Sequence, residues 1–184
     1  YEIISIGHRN PQGLYYDKDK NVIISTDHGP MGGDEININL DPNHISFVEN
    51  YGWPISSYGE HYDGEFYDDA PLHKSHKDYG FVEPIKYYTP AIGISEIRKI
   101  PNAFNENFTN DFFVASMGWD IEEGDLSIHH LRFNQNYDQI IFEDTIPIMD
   151  RIRDIAVINY DNNTYKILLV LESSPSLAEL QLEN

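Results

Sequence analysis

The feature that most constrains this chain is a recurring group of three short apolar segments separated by turn residues. The segments are strand-length, rich in β-branched or aromatic residues, and bounded by Gly, Pro, Asn or Asp. Three such groups follow one another, at 12–38, 93–133 and 152–182. The stretch 176–182 could pass for a helix, but its leucines equally fit one side of a strand. Groups of this kind are typical of the blades of a β-propeller, so we predict an all-β fold.

Three blades do not close a propeller ring, because open sheet edges and inner faces would remain uncovered. The chain starts without Met, and its first residues, YEIISI, are typical of a strand that is entered midway. We therefore expect a processed product or a piece of a longer protein, in which either further chain upstream or something else covers the open side. The segment at about 41–87 is rich in Gly, Tyr, His and Asp and lacks periodicity. We interpret it as an elaborated loop between blades, where functional sites tend to lie.

Composition excludes several classes of function. The 184 residues are enough for one domain with a sizeable core. The 12 Lys and Arg against 31 Asp and Glu give a net charge of −19, which argues against nucleic acid or an anionic membrane as a partner. The absence of cysteine excludes disulfides, thiol nucleophiles and Cys-ligated zinc. No apolar run is long enough to span a membrane.

Two Gly-rich segments are candidate binding loops. The first, GHRNPQG at 7–13, is either a Gly/Pro turn with a surface arginine or part of a site. The second, DHGPMGGDEIN at 27–37, has glycines that allow close backbone approach to a ligand and carboxylates that suit Ca²⁺, although it could be only a tight connection.

An arginine pair gives the most informative pattern. Strand periodicity places Arg151 and Arg153 on one face of a strand and Ile152 on the other. Adjacent guanidiniums repel one another unless an anion lies between them, and their geometry suits carboxylates or phosphates. The alternative is that the pair is neutralised by Asp150 and Asp154.

Other polar groups are interpreted as structural. We predict that the histidine pairs are solvent-facing side chains and not metal ligands, and that the acidic run is a solvated loop and not a glycosidase site. These groups are His73 with His76, His129 with His130, and Asp63, Glu65, Asp68 and Asp69.

Four sequence motifs, in this order, carry a resemblance to a known family: GHRNPQGL at 7–14, DHGPMGGDEIN at 27–37, NYGWPISSYGEHY at 50–62 and RIRD at 151–154. Together they resemble the soluble pyrroloquinoline quinone (PQQ)-dependent sugar dehydrogenases, the glucose/sorbosone dehydrogenase family. That family is a six-bladed β-propeller. The resemblance implies that residues 1–184 are the C-terminal half of such a domain and supply about three blades, with an elaborated inter-blade loop at about 41–87.

The resemblance implies a role for nine residues. Five match cofactor-binding positions: Arg9, Asn10, Tyr62, Arg151 and Arg153. Gly29 and Pro30 match backbone carbonyls that bind the Ca²⁺ on PQQ, and Glu35 and Tyr51 match ligands of a separate structural Ca²⁺. No catalytic residue is assigned, because the family's general-base histidine lies in the upstream half. Gly118 stands where the family carries a lysine that contacts the cofactor.

The implied function is PQQ- and calcium-dependent oxidation of an aldose sugar at its anomeric carbon, with hydride transfer to PQQ. The alternative is a non-catalytic propeller of the same family that serves as a binding or interaction module. Gly118 favours the alternative, and the intact arginines favour the enzyme. The implied partners are an aldose, the upstream half of the propeller and an electron acceptor. The implied location is periplasmic or secreted, and we expect no activity from this half alone.

Overall fold

The computed structural model describes residues 1–43, 47–161 and 164–181, which form thirteen strands and two single-turn 3₁₀ helices. They divide into two compact units, Tyr1–Ile94 and Ser95–Asn184, called the first and second unit below. The 3₁₀ helices are Lys77–Tyr79 and Ile121–Glu123. No helix among the described residues is long and apolar enough to cross a membrane.

The first unit is built on one antiparallel sheet. Its strands are β1 (Ser5–Ile6), β2 (Pro11–Asp17), β3 (Val22–Asp27), β4 (Asp34–Asn39), β5 (Glu49–Asn50) and β6 (Lys86–Tyr88). The sheet has the order β2-β3-β4-β6, whereas β1 and β5 form a short parallel pair. All six residues of β4 are buried, so this strand carries both core side chains such as Ile36 and the polar Asp34 and Glu35.

The second unit contains two antiparallel sheets that share a hydrophobic core. Its strands are β7 (Ile94–Lys99, beginning at the last residue of the first unit), β8 (Asp111–Ser116), β9 (Ser127–Phe133), β10 (Ile140–Pro147), β11 (Ile152–Asp161), β12 (Thr164–Leu171) and β13 (Ser176–Leu180). One sheet has the order β10-β9-β8-β7 and the other β11-β12-β13. Phe113 and Ile128 of the first sheet pack with Ile155, Ile167 and Leu169 of the second.

The fold class is confirmed, since the structure is all-β and each predicted strand triplet forms its own antiparallel sheet. The stretch from Ser176 is a strand, as predicted, although its predicted last residue, Leu182, lies outside the described residues. Sequence patterning missed the fourth strands β6 and β10. β6 is only three residues long, and β10 is an edge strand that is exposed along most of its length, so neither shows a regular alternation. In the predicted loop at about 41–87, residues 44–46 lie outside the described ranges.

Candidate functional site

Asp27, the last residue of β3, organises the candidate site of the first unit. Its buried carboxylate accepts the backbone N–H of Arg9 at 3.0 Å and that of Asn10 at 2.6 Å. The N–H of His28 donates to the carbonyl of Asn10 at 3.1 Å. The Arg9 guanidinium donates to the His28 carbonyl at 3.1 Å and lies 5.4 Å from the Trp53 ring. The predicted cofactor residues Arg9 and Asn10 are therefore fixed through their backbone, by a residue that the sequence did not single out.

The Gly-rich loop folds back on itself so closely that two of its glycines have no room for a side chain. A Cβ at Gly29 would lie 2.1 Å from the carbonyl oxygen of Gly32, and one at Gly33, where φ is +71°, would lie 2.2 Å from the nitrogen of Gly59. The Gly29 N–H donates to Asp34 Oδ1 at 3.0 Å. This crowding fits the tight connection that the sequence left open, and the approach of a ligand to the loop stays a prediction.

The two segments line a small cavity of about 10 Å³, which has room for one water-sized particle. Four of the nine predicted site residues contribute to its lining: Arg9, Gly29, Glu35 and Tyr51. Asp27 and Trp53 also line it, but neither was predicted. Pro30 is buried but is not part of the lining, and Tyr62 is 72% exposed on the long loop.

Acidic side chains are concentrated at the cavity. Burial raises the pKa of Glu35 to about 8; the hydrogen bond from Asn37 (Nδ2 to Oε2, 3.2 Å) opposes this shift, and the nearby carboxylates of Asp27, Glu83 and Asp34 add to it. The Tyr51 hydroxyl donates to Glu49 at 2.7 Å, so burial and this bond raise its pKa. Such a desolvated acidic pocket favours a cation. Among the described residues, however, no three Asp, Glu or His side chains are grouped as a metal site, so any ion here would depend on backbone oxygens.

The prediction of solvent-facing histidines is wrong for three of the four. His76 is fully buried, with Nε2 3.5 Å from Glu35 Oε1 and its ring against Tyr58. His129 and His130 are also buried, because they lie on β9, which is buried along nearly its whole length. His130 Nε2 pairs with Asp111 Oδ1 at 2.6 Å. His129 Nε2 lies 2.9 Å from the Gly124 carbonyl, so His129 and His130 each have a polar partner, whereas neither ring nitrogen of His76 has a hydrogen bond among the described residues.

The arginine pair of the second unit converges on one carboxylate, which belongs to Glu172. Arg151 Nε donates to Glu172 Oε1 at 3.2 Å, and Arg153 Nη2 donates to Glu172 Oε2. Both guanidiniums therefore reach the same anion, while Ile152 between them is fully buried. Period-two geometry placed the arginines correctly, and the expected anion is present as a side chain of the chain itself.

The alternative partners of the arginine pair have other surroundings. Asp150 accepts the backbone N–H groups of Ser173 at 2.8 Å and Ser174 at 3.0 Å, so it closes the turn after β12. Asp154 Oδ1 is buried and has no hydrogen-bond partner among the described residues. The anion that bridges the arginines is thus Glu172, which the sequence analysis missed. Its signal was the β11–β12 hairpin, since a strand pairing of Ile152 with Leu171 brings Glu172 beside Arg151.

Arg151 has two further contacts, and the second brings it next to Gly118. Its Nη1 donates to the carbonyl of Met117, and its guanidinium lies 4.2 Å from the centre of the Trp119 ring, within the range of a cation–π interaction. A Cβ at Gly118 would lie 1.8 Å from Asp125 Oδ2, which accepts the N–H groups of Trp119 and Asp120. The carboxylate of Asp125 thus occupies the space that a lysine side chain at position 118 would enter.

Comparisons with known proteins agree with this architecture. A model of the glucose / sorbosone dehydrogenase family matches residues 1–169. The aldose sugar dehydrogenase YliI of Escherichia coli is 27% identical over 183 residues, covering 100% of this chain and 44% of the relative. A crystal structure of a glucose dehydrogenase gives a TM-score of 0.74 at 24% identity, covering 96% of this chain and 46% of that chain. The PQQ-bound aldose sugar dehydrogenase of Streptomyces coelicolor gives 0.50 at 19% identity, covering 89% and 37%.

The chain spans less than half the length of the curated relatives and solved structures that it matches. The structural likeness supports the fold, and the family match covers residues 1–169, which include every strand up to β11 and most of β12 but not β13. The motifs that make up the cavity and the arginine pair lie within the matched residues. The chain belongs to the glucose / sorbosone dehydrogenase family.

Proposed function

We propose that this chain is part of a sugar dehydrogenase that oxidises an aldose at its anomeric carbon with PQQ and calcium. The observation that carries the proposal is the convergence of Arg151 and Arg153 on a single carboxylate. Two guanidiniums held in this way are a receptor for a carboxylated ligand, and PQQ is a tricarboxylate. Family membership supports the same assignment, as does the PQQ held by the similar aldose sugar dehydrogenase of Streptomyces coelicolor.

The residues present fit such a cofactor in chemical type. Arg151 and Arg153 would bind carboxylates, and the exposed ring of Trp119 beside Arg151 offers an aromatic surface for a planar ligand. Arg9, Asn10 and Tyr62 are proposed as further contacts. When bound, PQQ would accept the hydride from the sugar. The residues of this chain would bind and orient the cofactor, whereas the general base would come from the upstream half of the propeller.

We propose that calcium binds at the cavity of the first unit. The carbonyl groups of Gly29 and Pro30 would bind the ion next to the cofactor, and Glu35 and Tyr51 would bind a separate structural ion. The fit depends on charge, because Glu35 is a buried carboxylate among other carboxylates, and a bound cation would offset that repulsion. The Tyr51 hydroxyl already donates to Glu49, so its backbone carbonyl is the group that it would offer.

The whole protein, with its upstream half, tests the proposal. PQQ should bind saturably in the presence of Ca²⁺, and addition of an aldose should reduce it, as followed by quinone absorbance. Arg153→Ala should weaken PQQ binding about tenfold. This is the low end of what a hydrogen bond between charged groups contributes to binding, because the side chain of Arg153 is half exposed. Lys166→Ala removes a cation of the same sheet that pairs with Glu179, and it should leave PQQ binding unchanged. Binding that is indifferent to Arg153 would place the cofactor elsewhere.

One observation favours the second candidate, a non-catalytic propeller that binds a ligand or partner. Gly118 replaces the lysine that the family resemblance implies, and Asp125 fills the adjacent space. A carboxylate in place of a cation weakens attraction for a tricarboxylate. If the whole protein bound no PQQ at millimolar Ca²⁺, this second function would replace the first. The proposed periplasmic or secreted location and the external electron acceptor belong to the dehydrogenase proposal alone.

A further inference from the structure

Glu172 bridges the two arginines from the end of the neighbouring strand. It follows β12 directly, and its backbone N–H donates to the carbonyl of Arg151 at 2.9 Å. Each of its carboxylate oxygens contacts a different guanidinium, Oε1 that of Arg151 and Oε2 that of Arg153. A ligand carboxylate that used both arginines would need these same donors. Glu172 and such a ligand therefore compete for one place.

The contact between Glu172 and Arg153 lies at the surface, where a ligand can separate the two side chains. The side chain of Glu172 is 39% exposed and that of Arg153 is 50% exposed, so water screens their attraction and can solvate both groups after separation. Arg151 is different: its side chain is 15% exposed and is also held by the Met117 carbonyl and the Trp119 ring. The cationic receptor thus has one arginine that is held by several contacts and one that is half exposed, and its internal anion is partly exposed as well.

A carboxylate tethered on the neighbouring strand has a high effective local concentration at the receptor. A simple anion such as acetate has to exceed that concentration to displace it. A ligand with several carboxylates and a ring gains further contacts, for example with Trp119, and can displace the tethered group at much lower concentration. The internal anion would therefore raise the concentration that every anion needs by the same factor, and a polycarboxylate, which makes more contacts, would still bind at low concentration.

We propose that Glu172 is an internal competitor of the arginine receptor, a carboxylate that any ligand carboxylate must displace. The proposal rests on the proposed function only in naming PQQ as the natural ligand. Because a bound Glu172 reduces the fraction of receptor that is free, it weakens the apparent affinity of every anion by that fraction. The opposing role is positional, in which Glu172 aligns the guanidiniums and thereby assists ligand binding.

The two roles predict opposite signs for Glu172→Gln, measured in the whole protein with Ca²⁺. As a competitor, its loss should tighten the binding of both PQQ and benzene-1,3,5-tricarboxylate about three- to tenfold, and acetate should then inhibit at lower concentration. Glu179→Gln is the matched control, since it also removes one carboxylate paired with a cation in the same sheet. It should leave all three dissociation constants unchanged. Glu172→Asp, which keeps the charge on a shorter side chain, should lie between wild type and Glu172→Gln.

The outcomes separate this inference from the proposed function. Unchanged or weaker binding of both probes to Glu172→Gln would overturn the competitor role, whatever PQQ does in the wild type. Tighter binding of benzene-1,3,5-tricarboxylate without any PQQ binding would keep the role of Glu172 and overturn PQQ as the cofactor. If neither probe bound to the wild type or to Glu172→Gln, both would be wrong. Equal effects of Glu172→Gln and Glu179→Gln on the dissociation constants would mean that the change in net charge alone tightens binding. That outcome would also overturn the competitor role.

Discussion

The candidate sites of the two units each depend on one carboxylate, and the two carboxylates differ in what they hold. Asp27 in the first unit is buried and accepts two backbone N–H groups, so it fixes the path of the chain. Glu172 in the second unit is partly exposed and accepts from two side chains. The first arrangement is part of the fold, whereas the second can be rearranged by a ligand.

The difference shows how one protein can combine a fixed site with an adjustable one. A backbone carbonyl can bind an ion well only if its position is set beforehand, and Asp27 together with the crowded glycines sets it. Long arginine side chains instead adapt to the ligand, and an internal anion keeps them close together until then. The structural cost of losing each carboxylate should therefore be very different.

The largest effect is expected for Asp27→Ala. It removes the charged acceptor of two backbone N–H groups, which should destabilise the protein by about 3 kcal/mol. Relief of the repulsion between Asp27 and Glu35 offsets part of the loss. Chemical denaturation should show the decrease, with Asp27→Asn intermediate because it keeps one acceptor oxygen. Asp19→Ala, at an exposed turn, should stay within about 0.5 kcal/mol of wild type. A comparably small change for Asp27→Ala would remove the distinction between the two carboxylates.

The second effect concerns Gly118, beside the arginine receptor. Gly118→Ala should cost about 2–3 kcal/mol, because its Cβ would displace the Asp125 carboxylate from two backbone N–H groups. Gly64→Ala is the control: nothing lies within 4 Å of the added Cβ, so only the strain of φ +71° remains, about 1 kcal/mol. Thermal unfolding of both variants measures the difference. A Gly118→Lys variant that kept wild-type stability would show that the loop can make room for the family's cation.

The sequence predicted those parts of the fold and site that follow from local periodicity. Strand triplets, the orientation of Arg151 and Arg153, and the need for an anion between them all depend on alternation within one strand. The identity of the anion depends on register between strands, and a bulge between Ile152 and Asp154 shifts that register. Spacing within one strand therefore favoured the adjacent Asp150 and Asp154, and only the register of the β11–β12 hairpin distinguishes Glu172 from them.

The same limit explains the errors in the first unit. Asp27 looks like one more acidic residue in a loop, and its importance depends on two N–H groups that are 17 and 18 residues away in sequence. His76 looked like a residue of a polar loop, yet the loop folds over it and leaves it fully buried near Glu35. Composition predicts the average exposure of a residue type, and only tertiary packing decides which individual side chain is covered.

The smallest stability effect should come from calcium, and it tests whether the fixed site of the first unit binds a cation. At about 30 times its dissociation constant, Ca²⁺ should stabilise the whole protein by about 2 kcal/mol through mass action, raising Tm by about 2–4 °C over a chelator control. Mg²⁺ should substitute poorly, because it requires strict octahedral geometry. Glu35→Gln should lose much of the response, while Glu65→Gln, on the exposed loop, should keep it. The response, and not the basal Tm, is the informative quantity, since removing a buried carboxylate among other carboxylates can itself raise Tm. Equal melting temperatures with calcium and with chelator would mean that the cavity is a rigid part of the fold that binds no ion. The contrast between a fixed cation site and an adjustable anion site would then depend on Asp27 alone.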